Sequence, residues 1–504
     1  VKLAAGKLEA GKLAAEKLAE EGSPAPGPAQ RLSGPAPQRG SPGSLEERLF
    51  AVAPASTANK ALVCTGYSAA TCSVAGVALL RQAGMPAWDT MWAEDGKVFY
   101  SQALYLPFAR TLVTPHAGYV QVFPRLVAGI ATAFAPRDAS AVMAVAGALS
   151  LGALSCLVFH MARGLVPSRL LRLVLAASMV LLPVAGGELL DNAVNVPWWL
   201  FFACFWALLW RPASRAGRAA SFLLCALGAA SEPLTALLLP LAALRAVALR
   251  RPASRRAGAR RACPSASPRS QLQANAAAGG LVVGLAYQLC TTLAGGRGGG
   301  APVAFAPLSA GALVRAIGAR VGVGLLAGVK GTDWLASRGP TLATAIGLAL
   351  ICAVAGAGAL CPAGRARAMA LVATLTAVGC FVVEAWVRGI APVMAAGHVQ
   401  SAGRYQAVPL LLLVSSLVVT ASERARGGPG ARRELLAGAL CVVLLAPTWA
   451  VDFRDRNARS QGPSWPVGVE QAARSCAASG AASALVPIDP PGWAARAPCD
   501  VLRD

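Results

Sequence analysis

The residues with the most chemistry to offer lie in one short run, Trp92-Ala93-Glu94-Asp95-Gly96. Paired carboxylates at a probable helix start can act as a general base, hold a metal ion, or cap the helix through Asp95. The residue types leave all three open. Far along the chain, Arg404-Tyr405 opens an apolar run four residues before Pro409. A guanidinium at such a place can hold a phosphate bidentately or reach for lipid headgroups. Between these two points stand His116, Tyr119 and Arg125, then Glu188, Asp191, Asn192 and Asn195 ahead of Pro197-Trp198-Trp199. A polar loop followed by interfacial aromatics would use the same letters. Glu232 sits within apolar sequence, where an ionisable side chain is expensive and marks either function or a self-capped kink. Glu384, Arg388 and His398 precede Arg404.

Several chemistries are disfavoured. His116, His160 and His398 are the three histidines, and none has the spacing of a zinc ligand set. No phosphate-binding loop or nucleophile elbow stands in a credible setting, and Gly295–Gly300 follows no strand. A divalent cation, Mg or Mn, stays open as a cofactor because paired carboxylates suit one.

The elements that must carry these residues follow from composition. Of 504 residues, 56% are hydrophobic and 14% charged, against about a quarter charged in soluble domains. Apolar runs of about 20 residues, the length a bilayer core demands, fall at 61–80, 138–161, 169–185, 196–210, 219–231, 233–248, 273–294, 340–361, 368–384, 406–421 and 434–450. The expected fold is therefore all-α, a polytopic bundle of about eleven transmembrane spans over residues 61–450. The formal net charge is +23, yet the cations cluster in short loops between the runs. The cluster from Arg245 to Arg269 has no interleaved aromatics to stack on bases, so nucleic acid is not the expected partner. Arg163, Arg169, Arg211, Arg215, Arg218, Arg365, Arg367, Arg424, Arg426, Arg432 and Arg433 fall in alternate loops and set those loops inside. That places the N-terminus in the cytoplasm and the tail after residue 450 outside.

Residues 2–21 repeat in five-residue units and residues 22–47 are rich in Pro, Gly, Ser and Arg, so residues 1–60 read as a disordered cytoplasmic tail and linker. The first external loop, 81–137, holds two stretches of helical spacing, Lys97–Arg110 and Tyr119–Phe134, expected to lie at the membrane interface. Residues 451–504 form a small external tail. Cys476 and Cys499 are the only cysteines in it, and a lone pair in an extracytoplasmic tail reads as a disulfide.

A first span, a large external loop with an acidic motif at Glu94-Asp95, interfacial helices, many spans on short loops, and Arg404-Tyr405 entering a late span together resemble the GT-C superfamily of polytopic glycosyltransferases, the actinobacterial members included. The resemblance covers roughly residues 61–450 and lies in layout more than identity. It implies a plasma-membrane enzyme that takes a sugar from a polyprenyl-phosphate donor in the membrane lipid and passes it, with inversion, to a hydroxyl of a glycan, lipid or protein. Carried over, Asp95 matches the general base, with Glu94 a second acid. Arg404 matches the residue holding the donor phosphate, with Tyr405 and Arg388 beside it. His116, Tyr119, Arg125, Glu188, Asn192, Asn195, Glu232 and His398 are expected around the cavity. A transporter or flippase of lipid-linked sugars, or a non-catalytic scaffold, is the rival reading. The first would need repeat symmetry between the two halves, and none is visible.

Overall fold

The computed structural model describes residues 49–50, 60–250, 275–294, 309–362, 364–389, 403–426, 431–454 and 456–503. The expected N-terminal tail (apart from Leu49, Phe50 and Lys60), the arginine cluster after Arg250, the side chain of Arg388, and His398 lie outside the described residues.

Helices dominate. In chain order they are α1 (Lys60–Arg81), α2 (Val122–Ala131), α3 (Ala139–Met161), α4 (Arg169–Leu181), α5 (Val196–Leu209), α6 (Arg215–Ser231), α7 (Leu239–Arg250), α8 (Ala276–Ala294), α9 (Ala310–Arg338), α10 (Pro340–Ala359), α11 (Gly364–Arg388), α12 (Gly403–Arg426) and α13 (Ala431–Val451). Beyond them lie α14 (Trp465–Ser479), the strands β1 (Ser483–Ile488) and β2 (Trp493–Pro498), and the short α15 (Cys499–Arg503). The strands form an antiparallel hairpin pairing Ser483 with Pro498 and Ile488 with Trp493. This hairpin is a small correction to the all-helical expectation. Among the described residues nine helices are long and apolar enough to cross a membrane, which marks a membrane-embedded helical bundle.

The elements differ from expectation at four places, each for a physical reason. The run at 196–210 folds as α5, whose 14 residues are all buried. At 1.5 Å per residue it is about 21 Å long, short of a hydrocarbon core of ~30 Å. Its apolar composition reflects a place inside the protein, a distinction hydropathy cannot draw. The runs at 219–231 and 233–248 are likewise short, parted where Glu232 caps the turn at Pro233 through an N–H from Leu234.

Helix α9 was not among the expected spans, because its glycines and Arg315 and Arg320 dilute the apolar signal. It breaks at Gly328 (φ 66°), where a side chain would fall 2.0 Å from the Asp452 carboxylate. That carboxylate accepts the N–H of Val329 (2.9 Å) and so caps the helix after the break. Gly318, Gly322 and Gly347 let α9 and α10 meet backbone to backbone, the close approach that small residues permit between membrane helices.

The helix expected over 97–110 is two pieces, a π-helical stretch Asp95–Tyr100 that runs on into Ser101–Tyr105, and Phe108–Leu112. Pro107 divides them, and Leu106 before it is extended (φ −117°, ψ 145°), as steric conflict with a following proline requires.

Contacts sort the bundle into two ends. At one, Arg81 of α1 donates to the carbonyls of Val180, Leu182, Asp452 and Phe453, joining the ends of α1, α4 and α13. The opposite end gathers arginines that bond backbone carbonyls: Arg245 on Leu208 and Trp210, Arg424 on Ala357, Arg426 on Leu165. Segments 82–121, 182–195 and 452–503 all belong to the first end, where the site forms.

Candidate functional site

Two tight turns and two helix ends surround a polar pocket of about 80 Å³, lined by Glu94, His116, Ala117, Tyr119, Gln121, Val194, Asn195, Trp198, Glu232, Arg404 and Tyr405. His116 and Tyr119 enter from a two-residue hairpin turn, with Ala117 (φ 52°) and Gly118 (φ 89°) both left-handed and the flanking residues exchanging backbone bonds of 2.8 and 3.2 Å. Such turns need positive φ at both central positions, which Gly118 supplies freely and Ala117 does not. Gln288 of α8 holds this hairpin in register. Its amide accepts from the N–H of Val120 (3.1 Å) and donates to the carbonyls of Val120 (2.5 Å) and Ala230 (2.7 Å).

On the facing side, Arg404 stands in the first turn of α12. Its Nε is 3.6 Å from the Glu188 carboxylate, and its backbone N–H donates to the same oxygen (3.3 Å). Its guanidinium lies 5.4 Å from the centre of the Tyr405 ring, and that ring meets Trp198 edge to face at 6.2 Å. One cation is thus fixed from two sides. Glu188 is buried behind it, and burial pushes its carboxyl up to about 7, with Arg404 pulling the other way. The loop carrying Glu188 is tied to itself. Asn192 and Asn195 both donate side-chain N–H to the Glu188 carbonyl (2.6 and 2.7 Å), and Asn192 Oδ1 accepts from Asn195 N–H (3.0 Å).

The two neighbouring acids part company. Glu94 lines the pocket. Asp95 does not. It is 1% exposed and its two oxygens accept the N–H groups of Ala193 and Val194, each at 2.8 Å. The geometric reason is that Glu94 and Asp95 follow one another at the start of a helical stretch, so their side chains leave it about a quarter turn apart. The matching of Asp95 to a cavity-facing acid is corrected in this respect: Asp95 holds the 188–195 loop against the 92–96 turn. Burial raises its carboxyl to about 7, although both N–H groups and Arg459 draw it down.

Behind the turn lies a hub with no signal in its sequence surroundings. Arg459, 2% exposed, donates Nε to Thr90 Oγ1 (3.2 Å), Nη1 to the Leu190 carbonyl (3.1 Å), and Nη2 to the carbonyls of Ala87 (3.1 Å) and Asp191 (3.3 Å). It binds both pocket loops to the tail. Asp191 and Asp489 flank it. Burial lifts Asp191 to about 7 and Asp489 to about 6, with Arg459 opposing both. The tail also pairs directly with the turn: Ala93 N–H donates to the Asp489 carbonyl (2.5 Å), and Asp489 N–H to that of Met91 (3.0 Å). A disulfide between Cys476 and Cys499, with Cα atoms 5.5 Å apart, closes the tail's own fold.

The structure therefore brings Glu94, His116, Tyr119, Asn195, Glu232, Arg404 and Tyr405 together. Glu188 and Asn192 stand behind the wall as supports. Arg125 does not reach the pocket. It is buried against Gln102, whose Oε1 it meets at 2.7 Å, and stacks over Phe99 at 5.2 Å. The lining residues Gln121 and Trp198 were not among the expected cavity residues. Among the described residues no group of three or more His, Cys, Asp or Glu side chains is placed to hold a metal ion. Compared with known protein families, characterised proteins and solved structures, the chain matches none.

Proposed function

We propose that the protein is a membrane glycosyltransferase of GT-C type. It would move a sugar from a polyprenyl-phosphate donor to a hydroxyl of a glycan, lipid or protein, with inversion. One observation carries this reading. A carboxylate from the early loop, Glu94, and a guanidinium from a late helix, Arg404, face one small polar pocket at a single end of the bundle. Sugar transfer from a phosphate needs those two groups on opposite sides of one bond.

In this reading Glu94 takes the proton of the acceptor hydroxyl as its oxygen attacks the anomeric carbon. The bond from that carbon to the phosphate oxygen breaks, and the polyprenyl phosphate departs carrying the electron pair. Arg404 stabilises the charge gathering on the phosphate, and its pairing with Glu188 means little reorganisation is needed at that moment. His116, Tyr119, Asn195 and Glu232 offer donors and acceptors for sugar hydroxyls, while Trp198 and Tyr405 present apolar ring surface. Asp95 acts through the loop it holds.

The arginine-rich end faces the cytoplasm in this proposal, by the preference of basic loops for that side. The pocket then opens outside the plasma membrane. The test is transfer of radiolabelled sugar from a panel of polyprenyl-phosphate sugars by the purified protein. Glu94→Gln and Arg404→Ala should each abolish product while the protein still purifies as a folded monodisperse species. Transfer at the wild-type rate in both variants would end the enzymatic reading in favour of a carrier or scaffold.

A further inference from the structure

A second cavity lies well away from the pocket, within the membrane-spanning part, and it has a different character. Helices α1 and α4 both pack against α3 but scarcely touch each other, which leaves a trough between them with α3 as its floor. The close seat of α1 on α3 comes from Gly152, where a side chain would fall 2.4 Å from the Thr71 carbonyl, and from a contact of 3.6 Å between Thr71 Oγ1 and Cys156 Sγ. The trough has a volume of about 580 Å³. Ser155, Cys156 and Phe159 floor it, and the walls are almost wholly aliphatic. Along α1 it runs from Val63 to Val77, about 21 Å at 1.5 Å per residue. That exceeds the ~15 Å depth of one leaflet.

One end of this trough is basic. Tyr67, a lining residue, hydrogen-bonds His160 Nδ1 (3.0 Å). The Arg172 guanidinium stacks over the Phe159 ring at 4.5 Å, and its Nη1 reaches the Phe159 carbonyl at 3.4 Å. Arg163 Nε and Arg172 Nε are both buried without a hydrogen-bond partner among the described residues. No carboxylate among those residues pairs with either arginine. Neither arginine lines the trough, but Arg172 stacks on its floor residue Phe159 and both are electrostatic neighbours of its lining residue Tyr67; two such guanidiniums beside a leaflet-deep apolar trough call for an amphiphile with an anionic head.

We propose that this trough binds an anionic glycerophospholipid, with its phosphodiester at Arg163 and Arg172 and one acyl chain along α1 and α4. Charge complementarity at the mouth and the length of the apolar channel select this occupant. The inference rests on the membrane-embedded architecture alone. It stands or falls separately from the sugar-transfer reading, because no lining residue is shared with the pocket around Glu94.

The test is native mass spectrometry of the full chain in detergent, with equal amounts of dioleoyl phosphatidylglycerol and dioleoyl phosphatidylcholine. The wild-type protein should retain the phosphatidylglycerol about tenfold more than the phosphatidylcholine, because both carry the phosphodiester but the choline ammonium is repelled by the two guanidiniums. Arg163→Gln with Arg172→Gln should equalise the two lipids, and Arg163→Lys with Arg172→Lys should keep part of the preference. Gly66→Phe fills the trough from a position with open space around it, so it should lower retention of both lipids without lowering the unfolding temperature. Glycerophosphoglycerol, the head without its chains, should not displace bound lipid. Equal retention of the two lipids by wild type, preference surviving the double Gln variant, or retention untouched by Gly66→Phe would each overturn the proposal. So would a stable dimer, lipid-free, that Gly66→Phe dissociates.

Discussion

Glu94 and Asp95 are adjacent, chemically alike, and predicted to fail in different ways when each loses its charge. Asp95 accepts two backbone N–H groups at 2.8 Å in a buried place. Asp95→Asn keeps one acceptor and turns an amide NH₂ toward the other N–H, leaving two buried donors unsatisfied. At ~1–3 kcal/mol each the cost is ~2–6 kcal/mol, and relief of the buried carboxylate returns part of it, so a net loss of at least ~2 kcal/mol is expected. Unfolding entropy of ~2 cal/mol/K per residue gives ~1 kcal/mol/K for a unit of this size, hence a fall of ~2 °C or more in Tm. Glu94→Gln touches only the pocket. It should move Tm by less than ~0.5 °C, its cost staying within ~0.5 kcal/mol, and lower sugar transfer by ~10²–10⁴, the usual yield of a general base. Paired measurements of thermal unfolding and transfer on the two variants decide the matter. If Asp95→Asn loses transfer at an unchanged Tm while Glu94→Gln stays active, the division of labour argued from their different surroundings is wrong.

Three further outcomes are expected. Glu188→Gln leaves the guanidinium of Arg404 without its carboxylate at 3.6 Å, so KM for the donor should change more than tenfold while an Arg404→Lys protein keeps only a fraction of wild-type turnover; equal kinetics across the set would refute the role given to this pair. Reduction or Cys476→Ala with Cys499→Ala opens a loop of sequence separation 23, worth ~3 kcal/mol by chain entropy, and limited proteolysis should then cut within 465–503 first. Burial raises Asp95, Glu188 and Asp191 to about 7 and Asp489 to about 6. Groups of this kind bind more protons folded than unfolded between pH ~4 and 7, so stability declines as pH rises through that window. Tm should accordingly be lower at pH 8 than at pH 5, and a higher Tm at pH 8 would contradict the direction of these shifts.

The helical, membrane-embedded character was legible because it rests on long apolar runs, which any 19-residue window reports. Span by span the reading was weaker where local composition and global place diverge. A buried helix such as α5 and a lipid-facing one share the same letters, and α9 hid its length behind glycines that exist for backbone contact with α10. At the site, residue type pointed to Glu94, His116 and Tyr119 because a long external loop dense in polar and aromatic residues is where function concentrates, and to Arg404 because a cation opening an apolar run is costly enough to notice. Which of two neighbouring acids faces the pocket was not legible. That depends on which side of the helical start the 188–195 loop packs against, and only the fold decides it. Arg459 was invisible for another reason: in a tail with several arginines its sequence surroundings are ordinary, and only the fold surrounds it with carbonyls.

The pairing of Ala93 with Asp489 has a consequence for biogenesis. The turn beside Glu94 leaves the ribosome long before the segment that buttresses it. Throughout membrane insertion the half-built bundle carries an open cleft whose acidic rim has no backing. A nascent chain stalled before residue 459 would therefore hold its helices in place and still lack the backing of its pocket wall.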